Sequence, residues 1–458
     1  MLEAAPPLLN VGDPARIRSA VWDRLLRARA KAHPGAPAII RAEVLVEGVD
    51  AITWLMAQSP NPRGYWSDRE ARFELAGLGR ADMVAGDFLR DLEPCLETVH
   101  DRLSRSRGDL RYFGGVRFDD RHRDPEWSAF KGCRFILPRF EIVRREDVTT
   151  FACNVRSDED VDDVPDQLQE LVFPDGSLDS RLPAWQKRTD QPDAAAWHVI
   201  VRKTLDAIAR DEFEKVVLAR KATFDFEEPV NAAHLLAALK THDDQAFHFC
   251  FQPDSAHAFV GASPERLYRR DGRRLRTEAI AGTRPRGASP EEDKQLMHEL
   301  QETDKEQREH RIVVKGIADA LAPLVDDLAW DSAASVLTLH HVHHLATTFR
   351  GVLRDDVHDG QVLASLHPTP AVGGFPAAAA LEALSAAEPF DRGYFAAPVG
   401  WVERDAAQFA VGIRSGLVAR DRLHLFSGAG IVAGSSPEKE WHEVEAKLGA
   451  FLDVLRQG

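Results

Sequence analysis

Several residues in this sequence have the types and spacing of a reaction centre. Glu440, Glu443 and Lys447 form one helical stripe, roughly 90° round from the apolar stripe of Trp441, Val444, Leu448, Phe451 and Leu455. At the edge of a buried face such groups line a cleft. The same spacing also describes a solvated face with a Glu–Lys pair at i,i+4. Glu306 and Glu309 repeat the theme at i,i+3, with Ile312 and Val313 beyond them. Two carboxylate pairs from separate helices, brought face to face, would make an oxygen-rich site suited to Mg2+. Charged helices of this kind are nevertheless common.

A second grouping surrounds Asp271-Gly272, which reads as a type I′ hairpin turn. A two-residue turn there pairs 270 with 273, and counting outward sets Glu265 opposite Glu278. Repulsion and desolvation would keep one of them protonated, the state a general acid requires. Two exposed glutamates, or a bulge-shifted register, is the other reading. Lys215 opens the apolar run KVVLA. It is either the solvated end of a strand or, against a dry cleft, a base. In HHVHH, His340 and His344 share one strand face and His341 and His343 the other, so four-fold metal ligation is not expected. SGAGIVAGSSP reads as a Gly-rich turn before a helix, whose amides could cradle an anion.

The elements that must position these groups follow from periodicity and punctuation. Helices are expected over Asp13–His33, Asp193–Arg210, Glu291–Leu321 (one long helix) and from Pro437 onward, the last capped by Ser436. Strands are expected in PAIIRAEVLVEG, FILPRFEIVRR, KVVLARKATFDF, AFHFCFQ, the hairpin arms, Ala333–Phe349 and RLHLFSGAGIV. The polar stretch from Arg156 to about Pro192 reads as a solvated linker, since its DEDVDD run lacks the glycine and spaced glutamate of a calcium loop. Strands and helices mix without regular βαβ alternation, which favours α+β with large antiparallel sheets.

Composition narrows the function class. The chain has 458 residues and a net charge of −15, which argues against a nucleic-acid binder or a polybasic membrane anchor. Four cysteines without a CxxC pair leave no zinc ribbon. Without a visible signal peptide or a run of 18 apolar residues, a cytoplasmic protein is expected.

Taken together, FEKVVLARK, GASPERLYRR, TEAIAGTRPRG, DKEQREHRIVV, HHLATTFRG, LHPTPAVGGFP, APVGW, GIRSG and SGAGIVAGSSPEKEW resemble the chorismate-utilising enzyme family. That family comprises isochorismate, salicylate, anthranilate and aminodeoxychorismate synthases. The N-terminal YWSDRE, YFGGVRFD and ILPRFEI are similar to menaquinone-type isochorismate synthases. The resemblance implies one large α+β unit, an antiparallel β-sandwich core flanked by helices, with residues 1–190 as its N-terminal part and 191–458 as the chorismate-binding region.

The resemblance also implies roles. Lys215 would be the base that activates water, and Glu265 the acid that protonates the hydroxyl leaving ring carbon 4. Glu309 and Glu443 would ligate Mg2+ directly, supported by Glu306 and Glu440. Thr283, beside Gly282, would hold the two substrate carboxylates together with Arg414, Lys447 and the amides of Gly428 and Gly430. His344 would contact substrate. Lysine at 215 favours water over ammonia, so no glutamine amidotransferase partner is expected, and a monomer is. HPTPAVGGFP leans to isochorismate synthase, with menaquinone biosynthesis favoured over a siderophore route. Salicylate synthase, which goes on to eliminate pyruvate, is the alternative. A scaffold without catalysis is disfavoured because base, acid, metal glutamates and cations occur together. Phe395 and Ala397 stand where many relatives have Tyr and Gly, and Val372 lies in a segment that tunes specificity. Lys215, Arg414 and Lys447 set three charges against the carboxylates of Glu265, Glu306, Glu309, Glu440 and Glu443. A dianion is therefore expected to bind poorly without the metal.

Overall fold

The computed structural model describes residues 8–31, 38–59, 61–176, 178, 181–339 and 342–456. Among them the strands form two sheets, of thirteen and ten strands. Nearly all pairs are antiparallel; Leu8–Asn10 beside Ile39–Glu47 is parallel, at the edge of the larger sheet. The expected α+β architecture with large antiparallel sheets is present. N-terminal and C-terminal strands share both sheets. Arg63–Ser67 pairs with Phe247–Gln252 in one, and Tyr112–Val116 with Pro398–Val402 in the other.

Period-two alternation explains why the larger sheet is covered on both faces. Trp66, Phe249 and Leu417 point into the interior between the sheets. Their neighbours Tyr65, Cys250 and Val418 face a second apolar layer, built with helices that supply Ile17, Val21, Leu235 and Phe451. Asp13 caps Pro14–Ala30 through the Arg16 amide, and Asp193 caps Ala194–Ala209 through the Ala196 amide. Both helices lie where the sequence places them.

Four expectations need correction. The single helix over Glu291–Leu321 is two, Pro290–Glu302 and Asp304–Leu321, because Thr303 is extended (ψ 119). Arg284 spans the break, with Nη2 to Thr303 Oγ1 at 3.4 Å and Nη1 to Glu306 at 2.6 Å. The terminal helix likewise divides into Pro437–Ala446 and Gly449–Leu455. The stretch after Arg156 is no solvated linker: Val161, Val164, Leu168, Leu171 and Phe173 are buried, and Trp185–Gln191 joins the larger sheet beside Lys215–Phe226. SGAGIV, expected both as a strand end and as part of a turn, is the end of the strand Arg422–Val432, paired along its length with Lys215–Phe226, and the turn is confined to 433–434 beyond it.

Candidate active site

Two places where the chain passes from one sheet to the other define the site. His257–Ser263 lies in the larger sheet and Arg266–Asp271 in the smaller, so Glu265 sits in the crossover. Ala406–Val411 and Ser415–Ala419 make the reverse passage through Arg414. The crossovers are tied together: Ser263 Oγ donates to the Val411 carbonyl (2.6 Å), Val411 N–H to Glu265 O (3.0 Å) and Ala262 N–H to Arg414 O (3.0 Å). An acid and a cation are thereby fixed by backbone, and their side chains are left for the cavity.

Around that cavity the fold gathers Glu265, Gly282, Thr283, Glu309, His344, Val372, Phe395, Arg414, Gly428, Gly430, Glu443 and Lys447. Lys215, Glu306 and Glu440 are not among the lining residues; Lys215 pairs with Glu309, and Glu306 accepts from the Thr283 amide. Lys215 begins its strand between Phe375 and Val432 and is fully buried, which rules out a solvated strand end. Its Nζ lies 3.0 Å from Glu309 Oε1, off hydrogen-bonding geometry, and has no hydrogen-bond partner among the described residues. Gly430 is what permits this approach, because a Cβ there would sit 2.4 Å from Glu309 Oε1 and 2.9 Å from Lys215 Cε.

Glu265 is buried and makes no ion pair among the described residues. Burial pushes its carboxyl up to about 8; the Glu278 charge adds to this, while Lys215 and Lys447 oppose it. The predicted state is therefore present, but its leading cause is desolvation and not a cross-strand partner. The hairpin register also differs from expectation. Asp271 pairs with Arg274 and Arg269 with Arg276, leaving Gly272-Arg273 as the loop. Gly272 alone takes positive φ (+58), the pattern of a type II′ turn. Glu278 is thus not opposite Glu265; Arg266 (2.8 Å) and Arg69 (2.6 Å) hold its carboxylate.

A bulge places the next pair. Gly282 (φ +76) interrupts the ladder between Arg274–Pro285 and Val342–Leu353, so Thr283 faces His344. His344 Nδ1 lies 3.1 Å from the Gly282 carbonyl and 3.2 Å from Thr283 Oγ1. Burial first, then the Arg414 and Lys447 charges, push its imidazole down to about 3. The ring is neutral; with the Nδ1 proton on the Gly282 carbonyl, Nε2 is an acceptor. His343 instead bonds Asp293 (2.8 Å) and Thr338 (3.0 Å). His340 and His341 lie outside the described residues.

Each of the four helical glutamates has its own cation. Glu309 has Lys215, Glu443 has Lys447 (2.7 Å), Glu306 has Arg284 (2.6 Å) and Glu440 has Lys305 (2.8 Å). Arg284 and Lys305 were missing from the sequence-based charge tally, so the bare site is less negative than it implied. No three His, Cys, Asp or Glu side chains converge on a point among the described residues. Arg414 is different, having no carboxylate within ion-pair distance among the described residues; burial lowers its guanidinium to about 10, still charged at neutral pH. Lys447 Nζ also donates to the Gly428 carbonyl (2.9 Å). The paired side chains leave a free volume of only about 80 Å3, so an incoming ring must take over some of these contacts.

Sequence reasoning overlooked Ser427 and Arg392. Ser427 lines the cavity with a buried Oγ that has no partner among the described residues. A polar residue in the otherwise apolar LFSGAGIV strand was the available signal. Arg392 braces the wall through the carbonyls of Val372 (2.9 Å) and Val217 (2.6 Å), and nothing local in its sequence marks it.

Residues 24–456 match the family model described as chorismate binding enzyme. The isochorismate synthase MenF of Escherichia coli (strain K12) is 31% identical, over 95% of this chain and 98% of that one. Its solved structure, that of a menaquinone-specific isochorismate synthase, aligns with a TM-score of 0.83 over 95% of this chain and 99% of that one, at 30% identity. The salicylate biosynthesis isochorismate synthase of Pseudomonas aeruginosa is 33% identical, over 92% of this chain and 90% of that one. Anthranilate synthase component I from Streptococcus pneumoniae TIGR4 shares the fold, with a TM-score of 0.68 at 19% identity over 83% of this chain and 92% of that one. No helix among the described residues is long and apolar enough to cross a membrane. With the family model matched over nearly the whole chain, the protein belongs to the chorismate-binding enzyme family and is a chorismate-utilising enzyme.

Proposed function

We propose that this enzyme isomerises chorismate to isochorismate. Water attacks ring carbon 2, the double bonds shift, and the hydroxyl on carbon 4 leaves. The observation that carries this reading is Glu265, a carboxyl kept protonated at neutral pH in the same dry site as Lys215. Lys215 takes the proton of the attacking water, and Glu265 gives its proton to the departing oxygen. Arg414, the one site cation with no carboxylate partner among the described residues, and Lys447 receive the substrate carboxylates. Thr283 and the amides of Gly428 and Gly430 join them, and the neutral His344 contacts the substrate.

Glu309 and Glu443 would hold Mg2+, with Glu306 and Glu440 behind them. The donor chemistry suits Mg2+, being hard carboxylate oxygen from two helices, and the metal would take Glu309 from Lys215 and Glu443 from Lys447. Burial and the nearby Glu443 charge push Glu440 up, a repulsion that a divalent cation relieves. Bound there, the metal supplies charge neutralisation for a ring carboxylate. We further assign the product to menaquinone biosynthesis, on the likeness to MenF along both halves of the chain.

Chorismate, Mg2+ and chromatography of the products test the reaction. Isochorismate is expected; salicylate with pyruvate would replace the reading with a salicylate synthase, and unconsumed chorismate would refute catalysis. Lys215→Ala should abolish turnover in a folded protein. Restored menaquinone in a bacterium lacking its own isochorismate synthase tests the pathway, and no restoration would overturn it.

A further inference from the structure

Beside the hairpin lies a second, larger recess of about 530 Å3, which shares no lining residue with the candidate-site cavity. Arg72, Arg266, Arg269, Arg274, Arg276 and Arg350 line it, against three carboxylates. This local excess of guanidinium sits on a chain whose net charge is −15.

The sheet register makes the arrangement specific. Arg269 stands directly opposite Arg276, and Arg276 directly opposite Arg350, so three arginines form a row across three adjacent strands. Like charges in directly opposed positions destabilise a sheet. Carboxylates answer them only in part: Asp271 holds Arg269 (2.9 Å) and Asp331 holds Arg350 (3.0 Å) at the two ends of the row, and the centre is left weakly paired. Glu278 is already held by Arg266 and Arg69 and reaches Arg276 only at 3.5 Å. Partial desolvation first, then the charges of Arg266, Arg69 and Arg350, hold the half-exposed Arg276 below the ordinary guanidinium range, against the opposing charge of Glu278. Arg274 makes no ion pair among the described residues. Arg266, only 2% exposed, keeps a buried Nε with no hydrogen-bond partner among the described residues.

We propose that this recess is a binding site for a small, multiply charged oxyanion of the phosphate or polycarboxylate class, held across the Arg269–Arg276–Arg350 row. Neighbouring strands lie about 4.8 Å apart, so one ligand with two or three anionic groups reaches successive guanidiniums, exchanging the Asp271 and Asp331 contacts of Arg269 and Arg350 for its own N–H···O bonds. The volume is that of a small-molecule site. The acidity of the remaining chain opposes a long polyanion, whose contacts would extend past the recess.

Calorimetric titration of the whole protein with inorganic pyrophosphate and, separately, with citrate tests this, in magnesium-free, chorismate-free buffer at low salt. Saturable binding of either anion is expected, pyrophosphate indicating a phosphate ligand and citrate a polycarboxylate. The Arg276→Gln/Arg350→Gln double variant should bind about tenfold or more weakly. Arg16→Gln/Arg27→Gln, which removes two exposed charges from the first helix, should bind as the parent does. Arg274→Gln, at an exposed position, should weaken binding in a chain with the row intact. Circular dichroism checks that each variant is folded. No saturable binding of either anion, equal losses in both double variants, or binding of heparin alone would overturn the proposal.

Discussion

The dry interior around Trp127 and the candidate-site cavity are neighbours in which burial has opposite effects. Trp127 lies against Phe130, Phe259, Tyr394 and Phe426 at centroid distances of 5.1, 5.6, 6.1 and 6.0 Å. Its packing is tight enough that a Cβ on Gly393 would fall 1.9 Å from the indole. The polar tip in this cluster is answered, since the Tyr394 hydroxyl donates to the Phe130 carbonyl at 2.7 Å. Across the Phe395–Phe426 stack (5.3 Å), burial is as deep but its effect is reversed. Glu265 is held in the form water would not favour, Arg414 has no carboxylate, and the Lys215 Nζ and Ser427 Oγ have no hydrogen bond among the described residues. Desolvation that stabilises the aromatic side sets up reactivity on the other, and the apolar wall keeps the two apart.

Glu265→Gln separates these effects most sharply. Loss of the acid should reduce turnover by about 10²–10⁴-fold, while stability moves the other way. The folded carboxyl holds its proton up to about 8 against an ordinary 4.5, so the folded state binds more protons and its stability falls as pH rises from 4.5 towards 8. Glutamine removes that penalty and should stabilise the protein at pH 7 by on the order of 3 kcal/mol, read by denaturant unfolding. Parent turnover should decline above about pH 8 as the acid ionises. Normal turnover in the variant, or a clear loss of stability, would remove the contrast.

Trp127→Ala is the mirror experiment. A cavity in the aromatic cluster should lower stability by about 3–5 kcal/mol, with product formation per folded molecule largely retained well below the melting temperature. If turnover falls as steeply as stability, the wall does not insulate the site.

Glycine substitutions probe the boundary more finely. Gly430→Ala forces a methyl onto Glu309 and Lys215 and should cost about 1–3 kcal/mol, together with most of the activity. Gly428→Ala meets Leu218 O at 3.1 Å and Val217 Cγ1 at 3.4 Å, so its losses should be smaller in both assays. Equal losses at the two positions would mean that the Lys215–Glu309 approach is not what requires a glycine.

How far these regions could be read from sequence follows from which forces are local. Caps at Asp13, Asp193 and Ser436 set the starts of their helices through one side chain and one nearby amide, and those starts are legible. The break at Thr303 was passed over although residues 301–311 carry no apolar side chain to continue a helical period; the fork that holds it comes from Arg284, on a strand outside both helices. Lys215 was legible as a possible base from the apolar run it opens. Its burial depends on Phe375 and Val432, which no local pattern announces. The hairpin was recognised but its register was off, since Gly272 rather than Asp271 takes the first loop position. The protonated state of Glu265 was consequently expected from Glu278, whereas the crossover between sheets buries it. Crossovers themselves leave no local mark, because one apolar strand reads like another whichever sheet it joins. Arg284 and Lys305 were present in motifs that had already been singled out, yet ion pairing across elements is a property of the fold.

Phe395→Tyr should produce the smallest effect, because it changes one atom on the shared wall. The ring stays on Phe426, and since Phe395 lines the cavity the added hydroxyl is expected to meet substrate there. A hydrogen bond to substrate is worth about 1 kcal/mol net, so KM for chorismate should fall a few-fold while kcat and the melting temperature hold. The sign is informative because the aromatic side offers no partner for a hydroxyl. If the tyrosine instead lowers stability with KM unchanged, residue 395 belongs to the aromatic interior rather than to the substrate, and the boundary lies one layer closer to Arg414.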